Sequence, residues 1–277
     1  MDQNRRRKIT VSRQRERSIV NRRFNPASVP ATSTETQAKH QEQIMQNIFS
    51  PLKNHRQREV VKQWENVTGK SVIFITFVSD PIGSNFYSSR VPSLLSKLVD
   101  LGYDYVVRQY PSDRHYFQNC CFKPVFIKQI MEKYDKNLVW IDGDTNLKKS
   151  LDLFTLDQDY DVGLVSYTHD ISSFVASPIF FRNTPQSKAL IESWESHCTS
   201  QIENGVCELD HDAIKHSIIP QFRSSLRIKL SNNDYHNGEI LENVNSDVPE
   251  KRRVLQEMVP INARRPFNLT NKDFIII

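Results

Sequence analysis

Leu138-Val139-Trp140-Ile141 is the stretch that most narrows what this chain can become. Four consecutive apolar residues with no polar alternation predict a strand buried on both faces, as in a parallel sheet covered by helices. Asp142-Gly143-Asp144 follows at once, so two carboxylates fall at the strand's carboxyl end, where open α/β sheets bind their ligands. Gly143 permits a sharp turn there and leaves room for a large ligand. Asp142 and Asp144 are thus expected to face one divalent cation, as hard oxygen ligands for Mg²⁺ or Mn²⁺.

The segments before this strand set its context. Ser71 to Val78 is β-branched and aromatic and predicts a core strand, with turn chemistry over Ser79-Asp80-Pro81-Ile82-Gly83-Ser84-Asn85. Val91, Leu94, Leu95 and Leu98 share one face of a helix from Arg90 to Leu101, stopped by Gly102. Tyr103 to Arg108 reads as the next strand, giving β-α-β. A helix from Asn119 to Tyr134 follows, with Phe122, Phe126, Ile127, Ile130 and Met131 inward. Lys123 falls near its start, where a lysine either reaches a phosphate or simply lies at the surface. Beyond the acidic motif, strands are predicted over Tyr160 to Val165 and Phe174 to Phe181. Thr184 caps a helix to about His197 with Pro185 at its first position, and another helix opens at Glu208. Upstream, Ile44, Met45, Ile48, Phe49 and Leu52 predict a helical lead-in within 38–70, running to about Trp64.

Charge is unevenly placed. Residues 1–25 hold nine Arg and Lys against Asp2 and Glu16, or +7, so the net +5 of the whole chain leaves −2 for the remainder. With the Pro, Ser and Thr that follow, residues 1–37 are expected to be a disordered basic tail, either solubilising or a tether to a polyanion such as DNA. Residues 38–277 are long enough for a single α/β domain with a mixed, mostly parallel central sheet and flanking helices. No run of 18 apolar residues occurs, so no membrane partner is expected. The arginine-rich start lacks an apolar core, which argues against a secretory signal. Cys120, Cys121, Cys198 and Cys207 form no metal-binding spacing and read as reduced thiols, so a cytoplasmic location is expected.

Three chemistries use paired aspartates at a strand end: sugar transfer from a nucleotide diphosphate, aspartyl-phosphate hydrolysis, and nucleotidyl transfer by two metals. The hydrolase alternative resembles the haloacid dehalogenase phosphatases, whose signature is Asp-x-Asp-x-Thr. Here Asn146 stands where that threonine belongs, and two strands precede the motif. A catalytically inactive module that binds nucleic acid through the tail is the non-enzymatic alternative.

From about Ser71 to about Asn245 the order of segments resembles GT-A fold glycosyltransferases, the nucleotide-diphospho-sugar transferase group. Trp140-Ile141-Asp142-Gly143-Asp144-Thr145 is similar to their DXD motif. Ser177-Pro178-Ile179-Phe180-Phe181-Arg182-Asn183-Thr184 matches the following strand and its exit. Trp194 matches a helix tryptophan, and Asp210-His211-Asp212-Ala213-Ile214 an Asp-Gln-x-Ala-Leu element, with His211 in place of glutamine. The resemblance implies a GT-A-like (Rossmann-like) domain binding a nucleotide-diphosphate sugar with Mn²⁺ or Mg²⁺. It implies that Thr76 and Phe77 line the base pocket, that Lys123 assists at the phosphates, and that Ser177 approaches the donor sugar. Asp142 contacts ribose or metal, and Asp144 binds the metal with His236 as a late third ligand. The resemblance further implies that Asp210, with Asp212 beside it as a catalytic carboxylate, holds the sugar or takes the proton of the acceptor hydroxyl. With a basic tail, the acceptor expected is a hydroxylated DNA base or another cytosolic polymer.

Overall fold

The computed structural model describes residues 55–80, 84–114, 116–151, 158–204, 209–231, 240–243 and 270–277, all within one compact unit spanning 44–277. Ten strands are described. β1 (Lys62–Asn66), β2 (Val72–Val78), β3 (Asp104–Gln109), β4 (Asn137–Trp140), β6 (Val162–Ser166), β7 (Phe174–Phe181), β8 (Arg227–Ser231) and β10 (Ile275–Ile276) form one sheet in the order β1-β3-β2-β4-β7-β6-β8-β10. The pairs β3·β2, β2·β4, β6·β8 and β8·β10 are parallel, and β1·β3, β4·β7 and β7·β6 antiparallel. The domain is therefore mixed α/β with a mostly parallel sheet. β5 (Thr145–Leu147) and β9 (Leu241–Asn243) make a separate antiparallel ribbon.

The strand period of two sorts the core. Ile73, Ile75, Phe77, Leu138 and Trp140 face one side. There they meet α2 (Tyr116–Tyr134) and α3 (Pro185–Glu203). Phe74, Val78, Val139 and Ile141 face the other, against Val91, Leu94 and Leu98 of α1 (Val91–Asp100). With both faces covered, β2 and β4 carry no polar alternation, which is why they were legible as runs. Pro124 sits inside α2 rather than at its first turn, because the helix begins at Tyr116. An interior proline costs about 3 kcal/mol. Burying Phe122, Phe126, Ile127 and Ile130, all 0% exposed, returns roughly 1.5–3 kcal/mol each, so packing wins.

α3 begins as expected, with the Thr184 hydroxyl accepting from the Ser187 N–H and Pro185 at the first position. It runs to Glu203, past His197, because Cys198 and Ile202 continue the buried stripe of Leu190, Ile191 and Trp194. The helical lead-in needs correction at its end: residues 62–66 are strand β1, not helix. β1 is an edge strand with little buried side chain, so its state comes from backbone pairing with β3, which leaves no hydrophobic period to read. Asp104 locks the turn after it by accepting from the N–H groups of Thr68, Gly69 and Lys70 at 2.9, 3.1 and 3.0 Å. The expected tail and the apolar positions 44–52 lie outside the described residues. Among the described residues no helix is long and apolar enough to cross a membrane, and Cys120, Cys121 and Cys198 form no disulfide.

Candidate active site

The antiparallel β4·β7 and β7·β6 pairs bring the start of β7 and the end of β6 to the same rim as the carboxyl ends of β2 and β4. A cavity of about 440 Å³ opens at that rim. This falls within the range of small-ligand sites. Asp142, Asp144, Asp210 and Lys123 all line it.

Alternation along β4 explains how they meet. Trp140 faces α2, and two residues on so does Asp142. The Trp140 indole N–H donates to Asp142 Oδ1 at 2.9 Å, and Lys123 Nζ, reaching from α2, lies 3.1 Å from the same oxygen. Nζ is also 2.6 Å from Asp210 Oδ2 and 5.2 Å from the Trp140 ring centroid. Lys123 is 7% exposed and Asp210 4%. Burial opposes the charged ammonium, but Asp142 and Asp210 outweigh it and hold Lys123 above its ordinary range. Asp210 opens α4 (Asp210–Asp212), which passes into a π-helical turn, Ala213–Ile218. Its carbonyl accepts from the Trp194 indole of α3 at 3.2 Å, which places it beside Lys123. The Asp142 N–H donates to Ser177 Oγ at 2.9 Å, so Ser177 sets the backbone of the acidic turn as well as lining the cavity.

The turn closes with the Thr145 N–H on the Asp142 carbonyl at 3.0 Å, and β5 then ties the chain to β9. Gly143 is required here for a reason the sequence did not disclose. A Cβ would lie 2.8 Å from Val78 Cγ1 and 3.0 Å from the Phe77 carbonyl oxygen, so the turn presses on the end of β2 and leaves no room for a ligand on that side. Gly143→Ala is expected to push the acidic turn off β2, costing roughly 1–3 kcal/mol and weakening any ligand held by Asp142 and Asp144. Denaturant unfolding together with ligand-induced thermal shift checks it.

Other expected residues distribute unevenly. Phe77 lines the cavity, its ring packed edge-on by Tyr110, Phe122 and Phe126. Thr76 does not reach it: one residue earlier on β2, it is 0% exposed and turned to the α1 face. Asp212 also lies off the cavity wall, because the helical turn at Asp210 carries it away; His211 and Lys215 point in instead. His236 lies outside the described residues. Tyr87, Tyr116, Tyr167 and Lys215 are wall residues with no sequence signal, since isolated tyrosines and a lysine in a π-helical turn have no readable period. Asp80, 4% exposed, positions Tyr87 by accepting from the N–H groups of Tyr87 and Ser88 at 2.7 and 3.1 Å.

One buried histidine, His55, and one half-buried histidine at the cavity wall, His211, give the domain an acid limit. His211 is lowered to about 4, chiefly by burial, with Lys215 and Lys123 adding to it against the pull of Asp212. His55, whose Nε2 lies 3.2 Å from the Cys121 carbonyl, is likewise lowered to about 4 by burial and by Arg58. Between the unfolded value of 6.5 and about 4, the unfolded chain binds protons that the folded one does not. Stability is therefore retained above 6.5 and falls across that window, by up to roughly 3 kcal/mol per histidine. Urea unfolding at either end of the window should show the loss, and His55→Gln should reduce it; a pH-independent midpoint contradicts the assignment.

No family model matches the sequence, and no curated protein matches it. Among solved structures, the chain is similar to one described as a glycosyltransferase involved in the glycosylation of the major capsid of PBCV-1. The identity is 10%, the TM-score 0.49, and the match covers 69% of this chain and all of the other.

Proposed function

We propose that the protein is a metal-dependent, GT-A-like glycosyltransferase that moves a sugar from a nucleotide-diphosphate donor to an acceptor hydroxyl. The observation that carries this reading is the convergence of Asp142, Asp144, Asp210 and Lys123 on one cavity at the carboxyl ends of β2 and β4. Asp142 and Asp144 suit Mg²⁺ or Mn²⁺, which use one or two carboxylates and complete their shell with water and substrate phosphate. Among the described residues no group of three His, Cys, Asp or Glu gathers for a metal, so the donor phosphates would supply the rest of the shell. When bound, the cation supplies charge neutralisation of the departing nucleotide diphosphate.

The chain's own residues have separate tasks. Lys123 holds Asp142 and Asp210 at fixed separation in a buried setting where reorganisation is small. Ser177 fixes the peptide of Asp142. Asp210 takes the proton of the acceptor hydroxyl as its oxygen attacks the anomeric carbon. The new glycosidic bond forms while the bond to the diphosphate oxygen breaks, and that electron pair leaves with the diphosphate. A donor-hydrolysis screen across nucleotide sugars with Mn²⁺, repeated with a chelator, tests the reading. Hydrolysis of one donor that stops on chelation is expected; silence across all donors, or activity indifferent to chelation, removes it or its cation.

A further inference from the structure

Along α2 the residues that line the cavity, Tyr116, Asn119, Cys120 and Lys123, recur at steps of three and four and so form one stripe of the helix. Lys123 is committed to Asp142 and Asp210. Asn119 stands one helical turn before it, about 5.4 Å along the axis, and is half-buried.

The amide of Asn119 is set by Arg58, a residue off the cavity wall. Arg58 lays its guanidinium over the ring of Phe122, 4.1 Å from the centroid, and Phe122 is itself 0% exposed. From that seat Nη1 donates to Asn119 Oδ1 at 2.7 Å and Nη2 to the Gln118 carbonyl at 2.8 Å. A guanidinium donates and never accepts, so the amide oxygen, and not the nitrogen, must face Arg58. The nitrogen is left to the cavity with its two N–H groups, and among the described residues it takes no hydrogen bond. An amide that in general offers donor and acceptor together here presents its donor side, with the orientation fixed before any ligand arrives.

Resting on the transferase reading above, we infer that Asn119, positioned by Arg58, reads the base of the donor nucleotide. The base selected carries a keto oxygen at its hydrogen-bonding edge, as uracil and guanine do, in preference to the amino bases cytosine and adenine. With the diphosphate at the acidic turn beside Lys123, the nucleoside continues along α2 to the next turn, where Asn119 stands. The keto oxygen of uracil or guanine accepts from the Asn119 N–H, whereas the amino groups of cytosine and adenine are donors and would meet a donor there. Bidentate pairing of asparagine with adenine needs both ends of the amide, and Arg58 holds the oxygen end.

Isothermal titration of the full chain with uridine, cytidine, guanosine and adenosine diphosphates in the presence of Mn²⁺ tests this. For whichever ring size the cavity admits, the keto base should bind roughly tenfold tighter than its amino counterpart. Asn119→Asp still accepts from Arg58 but turns an acceptor to the cavity, and should lower or reverse that ratio. Arg58→Met should bring the ratio close to one while diphosphate binding persists. A ratio between two bases cancels a general loss of stability, so a merely structural role for Arg58 would leave it unmoved. Keto and amino diphosphates bound alike by the parent, or a ratio that neither Asn119→Asp nor Arg58→Met changes, overturns the inference and leaves the transferase reading standing. Failure of all these diphosphates to bind with Mn²⁺ removes the transferase reading, and the inference with it.

Discussion

Asp144→Asn is expected to lower donor hydrolysis by about 10²–10³-fold, the scale on which removing one preorganised electrostatic contact slows catalysis, with the melting temperature nearly unchanged. The substitution keeps size and shape at a side chain that is 3% exposed, so packing is preserved and only the charge is lost. That charge is felt nearby: the Tyr87 hydroxyl is held well above its usual range first by burial and then by Asp144 and Asp142. The variant should therefore keep its fold, read as a nearly unchanged melting temperature, while it loses turnover. Normal donor hydrolysis in a folded Asp144→Asn variant would sink the metal-binding role of Asp144.

Lys123→Met is expected to be the most destabilising single change in the cavity, by about 3–5 kcal/mol, because removing one member of a buried ion group leaves uncompensated charge behind. Asp210 at 4% exposure has Lys123 Nζ at 2.6 Å, and Asp142 shares the same ammonium. The sign with pH separates this from a packing defect. In the folded protein the two carboxylates hold Lys123 above the ordinary lysine value of 10.5. Its contribution is thus fully present below 10.5 and lost only as pH rises through the folded value. In Lys123→Met the abandoned carboxylates favour protonation in the folded state, so the deficit should narrow as pH falls from neutral toward 5. Asp210→Asn added to Lys123→Met should recover part of the loss. A deficit under about 1 kcal/mol at neutral pH, or one that does not change with acid, would mean that the three groups are not energetically joined.

Where sequence and structure agree, the reason is burial on two faces. β2, β4 and β7 are enclosed, so almost every residue in turn is apolar, with Thr76 and Ser177 as buried polar exceptions, and β7 spans Phe174–Phe181 as read from the sequence. Where they differ, exposure or partnership decides. Edge strand β1 and the three-residue strands β5 and β9 owe their form to backbone pairing. For Lys123 the sequence allows a surface lysine or one reaching a phosphate; α2 starting at Tyr116 moves it into the helix interior and buries it between two carboxylates.

The sequence by itself determined the α/β character, the central strands and the acidic turn at the end of β4, because each follows from local hydrophobic period and turn chemistry. Only the tertiary structure decided that Asp210, far along the chain, shares an ammonium with Asp142, that Thr76 and Asp212 turn away, and that Gly143 is crowded rather than open. Side-chain direction at those positions depends on which segments pack together across long sequence separations, and no local pattern encodes that.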